Sequence, residues 1–328
     1  MEKKRVLSGI RATGRLHLGN YLGMVKGMLE LQDNPGYEVF FMVADLHAMT
    51  TPYDPKTLQK NIYEVVLDYL AAGLDPENAS VFVQSHIPEH IELAYLFSTV
   101  VSVARLSHLP TYKEKVRQYP ENVTMALLYY PVLMAADILA YKTEELPVGD
   151  DQLPHLEITR EIARKMNEKY SCNFPEPQQL KTEGHYIPSL TGEGKMSKSV
   201  EGSYINLTDE LGVIKEKFAR VPTDVGRGKS VPQEGGVAAL LSLVELFQGE
   251  DKRKEYETEY LSEGVQYKSL KEELAQAIFE ELKPIQARRK ELDQKPKYVD
   301  RVIGGGAEKA RKIARETLDE TKRKMGLI

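Results

Sequence analysis

Two stretches of this chain carry residue types suited to a polyphosphate, and they lie far apart in sequence. The first is Arg5 to Gly23, RVLSGIRATGRLHLGNYLG. Val6, Leu7 and Ile10 are apolar and β-prone, so the opening predicts a short buried strand. Gly9 and Gly14 break it, and His17, Leu18, Gly19 and Asn20 lead into an amphipathic run from Tyr21 to Leu31. A strand, a glycine turn and a helix start gather free backbone N–H groups and the positive end of a helix dipole at one point, which suits a phosphate. His17 and Asn20 stand three apart, one helical turn, so both side chains face the same bound group. Taken alone, the pattern is equally that of a tight turn with a surface histidine. The second stretch is Thr191 to Ser199, TGEGKMSKS. Two glycines give a flexible approach, and Lys195 and Lys198 flank Met196, Ser197 and Ser199. Such a loop folds over a polyphosphate with two cations, or is simply a solvated charged loop.

A third cluster is acidic. Met125 to Tyr141, MALLYYPVLMAADILAY, is mostly apolar, with Asp137 inside it. Burying an unpaired carboxylate is costly, so Asp137 needs a partner. Tyr130, Met134 and Asp137 are spaced four and three apart, on one helix face. Pro131 either kinks this helix or marks its true start. Next, Glu145 to Gln152 (ELPVGDDQ) reads as a short strand ending at Gly149, with Asp150 and Asp151 where a helix over Gln152 to Lys169 begins. Acidic residues there are ordinary caps, and a ribose-binding carboxylate has the same signature.

The elements that must position these groups read as α/β. Tyr37 to Ala44 is a buried-strand run ending in Asp45-Leu46-His47; Pro55 to Ala72 is helical; Ser80 to Gln84 is a third strand; Glu89 to Val103 is helical. Residues 1–105 thus alternate strand and helix, which predicts a parallel sheet with helices on both faces. Ligands sit at the carboxyl ends of such strands, where Arg11, His17, Asp45, His47 and Gln84 fall. Residues 106–185 read as helical, including the charged stretch Tyr112 to Arg117 with Lys113 and Lys115. His185 to Leu190 returns to short apolar units, expected to rejoin the sheet. From 201 on the pattern is helical, with a break expected at Pro284, a capping box at Ser269 and Glu272, and a stop at Gly304 to Gly306 before the last helix.

Composition narrows the class. The chain has 328 residues, enough for one large or two modest domains. Its single cysteine, Cys172, excludes an internal disulfide and a multi-cysteine metal or iron–sulfur site. No segment approaches the ~20 apolar residues of a membrane span, and MEKKR precedes too short an apolar run for a signal peptide. The net charge of −5 excludes a broadly basic nucleic-acid binder, so RNA contacts would use local lysine and arginine patches.

HLGN after the first strand, paired with KMSKS, resembles the two signature motifs of class I aminoacyl-tRNA synthetases. SGIRATGRLHLGNYLG, ADLHAMT, DYLAAGLDP, MAADIL, PVGDDQ with HLEITREIA, and KMSKS resemble, in order and spacing, the bacterial-type tryptophanyl-tRNA synthetases over nearly the whole chain. MAADIL with VGDDQ points to tryptophan over tyrosine. The resemblance implies a Rossmann-type parallel-sheet catalytic domain with a second, all-helical domain, in a cytoplasmic homodimer. It assigns 1–105 to the catalytic domain, completed by 185–200, with 106–184 a helical insertion carrying part of the amino-acid pocket. Residues 201–328 become the helical domain for tRNA and anticodon contacts. The implied reaction joins L-tryptophan to ATP as tryptophanyl-adenylate, releasing pyrophosphate, then moves tryptophan to the terminal adenosine of tRNA(Trp). Mg2+ comes with ATP, without a dedicated protein site.

Carried over position by position, the resemblance makes His17, Asn20, Lys195 and Lys198 the catalytic group. Arg11, Ala12, Thr13, Gly19, Gly149, Asp150, Asp151, Ile187, Met196, Ser197 and Ser199 complete the ATP site. Gly19 admits adenine to the backbone, one of the two aspartates meets the ribose hydroxyls, and Lys113 and Lys115 are weaker phosphate contacts. Asp137, Met134, Tyr130, His47, Val148 and Leu7 form the tryptophan pocket, with Asp137 accepting from the indole N–H. Asn20 stands where the wider class has a second histidine, and Arg11 where relatives often carry glutamine. Tyrosyl-tRNA synthetase and a non-catalytic RNA-binding or tryptophan-sensing paralogue are the competing readings; intact HLGN and KMSKS count against the latter.

Overall fold

The structure, a computed structural model, describes residues 3–181, 186–198 and 200–328. Among the described residues five parallel strands form one sheet: β1 Lys4–Arg11, β2 Tyr37–Ala44, β3 Ala79–Val83, β4 Glu145–Leu146 and β5 Gln178–Gln179, in the order β3-β2-β1-β4-β5. The order reverses between β1 and β4, the topological switch point where a doubly wound sheet opens a crevice. β1 and β2 end level, Arg11 opposite Ala44, so the first glycine turn opens beside the start of ADLHAMT.

The alternation of strand side chains divides the core into two layers. Val6, Val39, Phe41, Val43, Val81 and Val83 face one way, toward the Pro55–Ala71 and Tyr267–Asp293 helices. Leu7, Phe40, Met42, Ala44 and Phe82 face the other, toward the Pro88–Ser98, Met125–Leu139 and Leu153–Tyr170 helices. The run Val39 to Ala44, VFFMVA, is apolar throughout because both faces are covered.

Several expectations are corrected. The apolar units before KMSKS do not rejoin the sheet among the described residues. Instead Met196 N–H donates to Ile187 O (3.0 Å) and Ser189 N–H to Gly194 O (2.9 Å), a tight turn folded on itself. Pro188, in the middle of that run, has no N–H to give a ladder. His185 lies outside the described residues. Among the described residues from 106 to 181 the elements are helical except for β4 and β5, which extend the sheet. The helix Met125–Leu139 starts six residues before Pro131, capped by Thr124 Oγ1 on Leu127 N–H, so Pro131 does not mark its start.

The C-terminal third differs more. The Tyr267–Asp293 helix runs unbroken through Pro284, which is exposed, as is Glu280, whose carbonyl loses its helical partner and can turn to water. That helix begins before Ser269, whose hydroxyl donates to Glu273 (2.9 Å) and caps nothing. Gly304, Gly305 and Gly306 lie inside the Pro296–Lys324 helix. A Cβ on Gly306 would fall 1.8 Å from Val81 O, so glycine serves here as the contact by which the last helix crosses β3. Val299 and Val302 of this helix join the first core layer, and Ala310, Ala314 and Leu318 the second.

Candidate active site at the switch point

The two glycine-bearing stretches, HLGN with its turn and the lysine loop, meet. Leu18 N–H donates to Ile205 O (2.8 Å) and Leu207 N–H to Leu16 O (3.1 Å), so the segment just after KMSKS pairs with the start of HLGN. Lys198 Nζ donates to Gly14 O (2.9 Å) and Thr13 O (3.3 Å). Lys195 Nζ reaches Asp151 Oδ2 (3.3 Å) across the crevice beyond β4. Gly19 explains the closeness: a Cβ there would lie 3.0 Å from the His17 ring and 3.1 Å from Met196 Cβ. The space above Gly19 is thus taken by His17 and the lysine loop. Gly149 is similarly constrained, with Asp151 Oδ1 2.8 Å from where its Cβ would stand.

His17 and Asn20 form a reciprocal cap. Asn20 N–H donates to His17 Nδ1 (3.3 Å), and His17 N–H donates to Asn20 Oδ1 (3.2 Å). Each side chain spends its acceptor on the backbone, leaving a donor outward: Nε2–H of His17 and the amide NH2 of Asn20. Burial, with Lys198 and Lys195 adding repulsion, depresses the His17 imidazole to about 4, so it is neutral at pH 7. Burial also lowers Lys198 to about 8, partly countered by Asp68. Burial works against the Asp151 charge, yet the Gln152 amide and Lys195 ammonium hold its carboxyl below the usual range. Gln179 Nε2 donates to Asp150 Oδ1 (3.0 Å), fixing the other aspartate. Arg11 and Thr13 are exposed on the turn, and Ala12 is buried under it. Lys115 is lowered by burial and by facing Arg11, whereas Lys113 is exposed. Ile187 is buried behind the lysine loop, and Ser197 N–H donates to Ser203 Oγ (3.2 Å). Ser199 lies outside the described residues.

Beside this crevice, on the second core layer, lie Leu7, Met134, Val148 and Asp137. Asp137 is only 1% exposed, and its carboxylate is crowded. Gln84 Nε2 lies 2.9 and 2.8 Å from Oδ1 and Oδ2, His47 Nε2 lies 2.8 Å from Oδ2, and His90 Nδ1 lies 2.9 Å from Oδ1. The His90 contact is close but falls outside good hydrogen-bond geometry. Burial alone would raise this carboxyl; the two histidines overcome it and hold it at about 2. Asp137 is therefore an ionised acceptor whose two oxygens already face Gln84, His47 and His90, and a new donor takes the place of His47 or Gln84. His47 is the displaceable one, partly exposed and edge-on to Tyr130 at 6.2 Å between ring centroids. Tyr130 OH lies 3.1 Å from Thr111 Oγ1 and 2.5 Å from His155 Nε2.

Sequence reasoning left Gln84, His90 and His155 without a role. Gln84 was visible as the polar residue closing an apolar strand. It also accepts from Leu46 and His47 N–H, fixing the turn that carries His47. His90 shares the spacing of Leu93, Ala94 and Phe97, all buried, which was the available signal for a buried histidine.

The family model described as tRNA synthetases class I (W and Y) matches residues 1–283. The chain belongs to this family. Among curated relatives, the tryptophan–tRNA ligase of Caldanaerobacter subterraneus subsp. tengcongensis is 42% identical over 332 residues, covering 99% of both chains. That of Helicobacter pylori is 40% identical over 333 residues, covering both chains completely. Among solved structures, the tryptophanyl-tRNA synthetase of Campylobacter jejuni, complexed with ADP and tryptophan, matches with TM-score 0.85 and 32% identity over 98% of this chain and 100% of that one. The crevice between β1 and β4 is where a class I synthetase, built on a doubly wound sheet, is expected to hold nucleotide.

Proposed function

We infer that this chain is a tryptophan–tRNA ligase. It activates L-tryptophan with ATP to tryptophanyl-adenylate and pyrophosphate, then transfers tryptophan to the 3′ adenosine of tRNA(Trp). The observation that carries the reading is the meeting of the HLGN turn with the lysine loop, directly beside an ionised, buried Asp137.

In the first step a tryptophan carboxylate oxygen bonds to the α-phosphorus while the bond to the bridging oxygen breaks, and pyrophosphate leaves with the electron pair. The attacking carboxylate needs no base, so the site works by alignment and charge stabilisation. His17 Nε2–H and the Asn20 amide donate to phosphate oxygens; Arg11, Ala12 and Thr13 line the turn around them. Lys195 and Lys198 exchange their present partners, Asp151 and the Thr13 and Gly14 carbonyls, for the departing pyrophosphate as their loop closes. Asp151, released from Lys195, and Asp150 face the adenosine with Gly149; Ile187, Met196, Ser197 and Gly19 line the adenine side. The donor set at the phosphates is cationic or neutral, which fits a triphosphate carrying its own Mg2+. That ion offsets phosphate charge and enters with the nucleotide. Among the described residues no three His, Cys, Asp or Glu side chains cluster to hold a metal.

The indole N–H, a pure donor, pairs with Asp137 in place of His47, between Tyr130, Met134, Val148 and Leu7. Phenylalanine has no N–H to replace the His47 contact that its ring displaces; tyrosine is excluded by shape at Met134 and Val148. Residues 201–328 take the tRNA and anticodon contacts. Two copies pair through an apolar surface on which Ile91, Tyr95 and Met125 are 54%, 71% and 72% exposed. Among the described residues no helix is long and apolar enough to cross a membrane, and the reaction places the chain in the cytoplasm.

The test is ATP–pyrophosphate exchange with each amino acid supplied separately. Tryptophan alone should stimulate it strongly; stimulation by tyrosine and not tryptophan would overturn the assignment.

A further inference from the structure

The motif DYLAAGLDP is not explained by the chemistry above, and its first residue is the most fully buried charge near the nucleotide turn. Asp68 sits in the Pro55–Ala71 helix with no exposed surface. A buried carboxylate costs more than an apolar side chain in the same place unless its partners are well placed. Asp68 has two. Its Oδ2 accepts the backbone N–H of Leu16 at 2.5 Å, one residue before His17, and its Oδ1 accepts Arg289 Nε at 2.6 Å. Arg289 comes from the Tyr267–Asp293 helix, 221 residues away, and also pairs with Glu64. One turn earlier on that helix, Gln286 Nε2 donates to Leu207 O (2.9 Å) and Asp209 O (3.0 Å). The segment 205–209 follows the lysine loop and pairs with residues 16–18. One helix face therefore grips both strands of the nucleotide site: the turn through Asp68, and the tail of the lysine loop through Gln286.

We propose that Asp68 and Arg289 are positioning residues for adenylate formation: Asp68 fixes the Leu16–His17 backbone at the phosphate cradle, and Arg289 cancels the negative charge Asp68 would otherwise place beneath the triphosphate. Two things support the charge argument. Asp68 already acts on Lys198, so its field reaches the phosphate end of the crevice. Arg289 is itself largely buried, which lowers screening between the pair. The consequence is a link from the C-terminal helices to the ATP site that bypasses the tryptophan pocket. The proposal rests on the reading of the HLGN turn as the ATP site.

The experiment compares Arg289→Met, Arg289→Lys, the double variant Asp68→Asn with Arg289→Met, and Lys195→Ala. Exchange kinetics give KM for ATP and kcat. The chain contains no tryptophan, so indole fluorescence excited beyond the absorption of its 18 tyrosines reports binding of the substrate tryptophan without ATP. Arg289→Met should raise KM for ATP by roughly tenfold, the effect of a repulsion of about 1.4 kcal/mol. Tryptophan affinity should stay within about twofold. The double variant keeps an oxygen for Leu16 N–H without the charge and should recover most of the loss; Arg289→Lys should sit near the parent. Unchanged KM for ATP in Arg289→Met overturns the proposal, as does a parallel loss of tryptophan affinity. A double variant no better than the single also overturns it. Should Arg289→Met fail to fold, the double variant and Arg289→Lys decide: KM for ATP raised roughly tenfold in both refutes the charge argument, and parent-like values support it. A parent-like Lys195→Ala would instead fault the ATP reading itself.

Discussion

Replacing Asp137 separates the tryptophan pocket from the nucleotide site more cleanly than any other single change. Asp137 is an ionised acceptor held by Gln84, His47 and His90. A hydrogen bond from a neutral donor to a charged acceptor contributes about 1.5–3 kcal/mol, which at about 1.4 kcal/mol per tenfold is roughly ten- to hundredfold in affinity. Asp137→Ala should therefore raise KM for tryptophan by about that factor. It also strands one amide and two imidazoles in a buried space, so stability should fall by about 3–5 kcal/mol. Asp137→Asn isolates the charge. Its oxygen still accepts, but its NH2 faces donors, and His47 can relieve this by moving its proton to Nδ1. The Asn variant should remain folded near the parent's stability, with KM for tryptophan raised about tenfold and KM for ATP within about twofold. The assay is exchange kinetics with each substrate varied, alongside indole fluorescence titration and thermal unfolding. Equal rises in both KM values, or an unchanged tryptophan KM, would refute the reasoning.

Three further outcomes follow from the same geometry. Lys195→Ala should lower the rate of adenylate formation by about 2–4 kcal/mol in barrier, some thirty- to thousandfold, while indole fluorescence shows unchanged tryptophan affinity; a parallel loss of affinity would remove its role. Lys198 is depressed to about 8 by burial, so it is charged below that pH and neutral above it. KM for ATP should rise as pH climbs through that value, and Lys198→Arg should flatten the profile; a flat parent profile counts against the contact. Gly306→Ala should destabilise the fold by at least about 2 kcal/mol despite alanine's better helix propensity, because its Cβ would overlap Val81 O; denaturant unfolding measures this.

The core of the parallel sheet was legible because β2 and β3 are apolar runs closed by aspartate or glutamine at their carboxyl ends, whereas β5, Gln178–Gln179, has no apolar residue and left no such signal. The site's outline was legible for the same reason: phosphate-binding residue types cluster where strands end. What stayed hidden depended on partners distant in sequence. Nothing local in PEHIEL says that His90 meets Asp137, or in DYLAAG that Asp68 meets Arg289. Local signals also misled where tertiary contact overrode them. Three consecutive glycines read as a helix stop, yet the helix needs Gly306 bare in order to lie on β3. Ser269 and Glu272 have capping-box spacing, but the helix already begins at Tyr267.

A crystal structure of the chain with tryptophan and a non-hydrolysable ATP analogue tests the central claim most directly. The account predicts phosphates between the His17–Asn20 cap and the ammonium groups of Lys195 and Lys198, with the indole nitrogen on Asp137 and His47 swung aside. Phosphates bound away from either the cap or the lysine loop, or an indole nitrogen pointing away from Asp137, would contradict it.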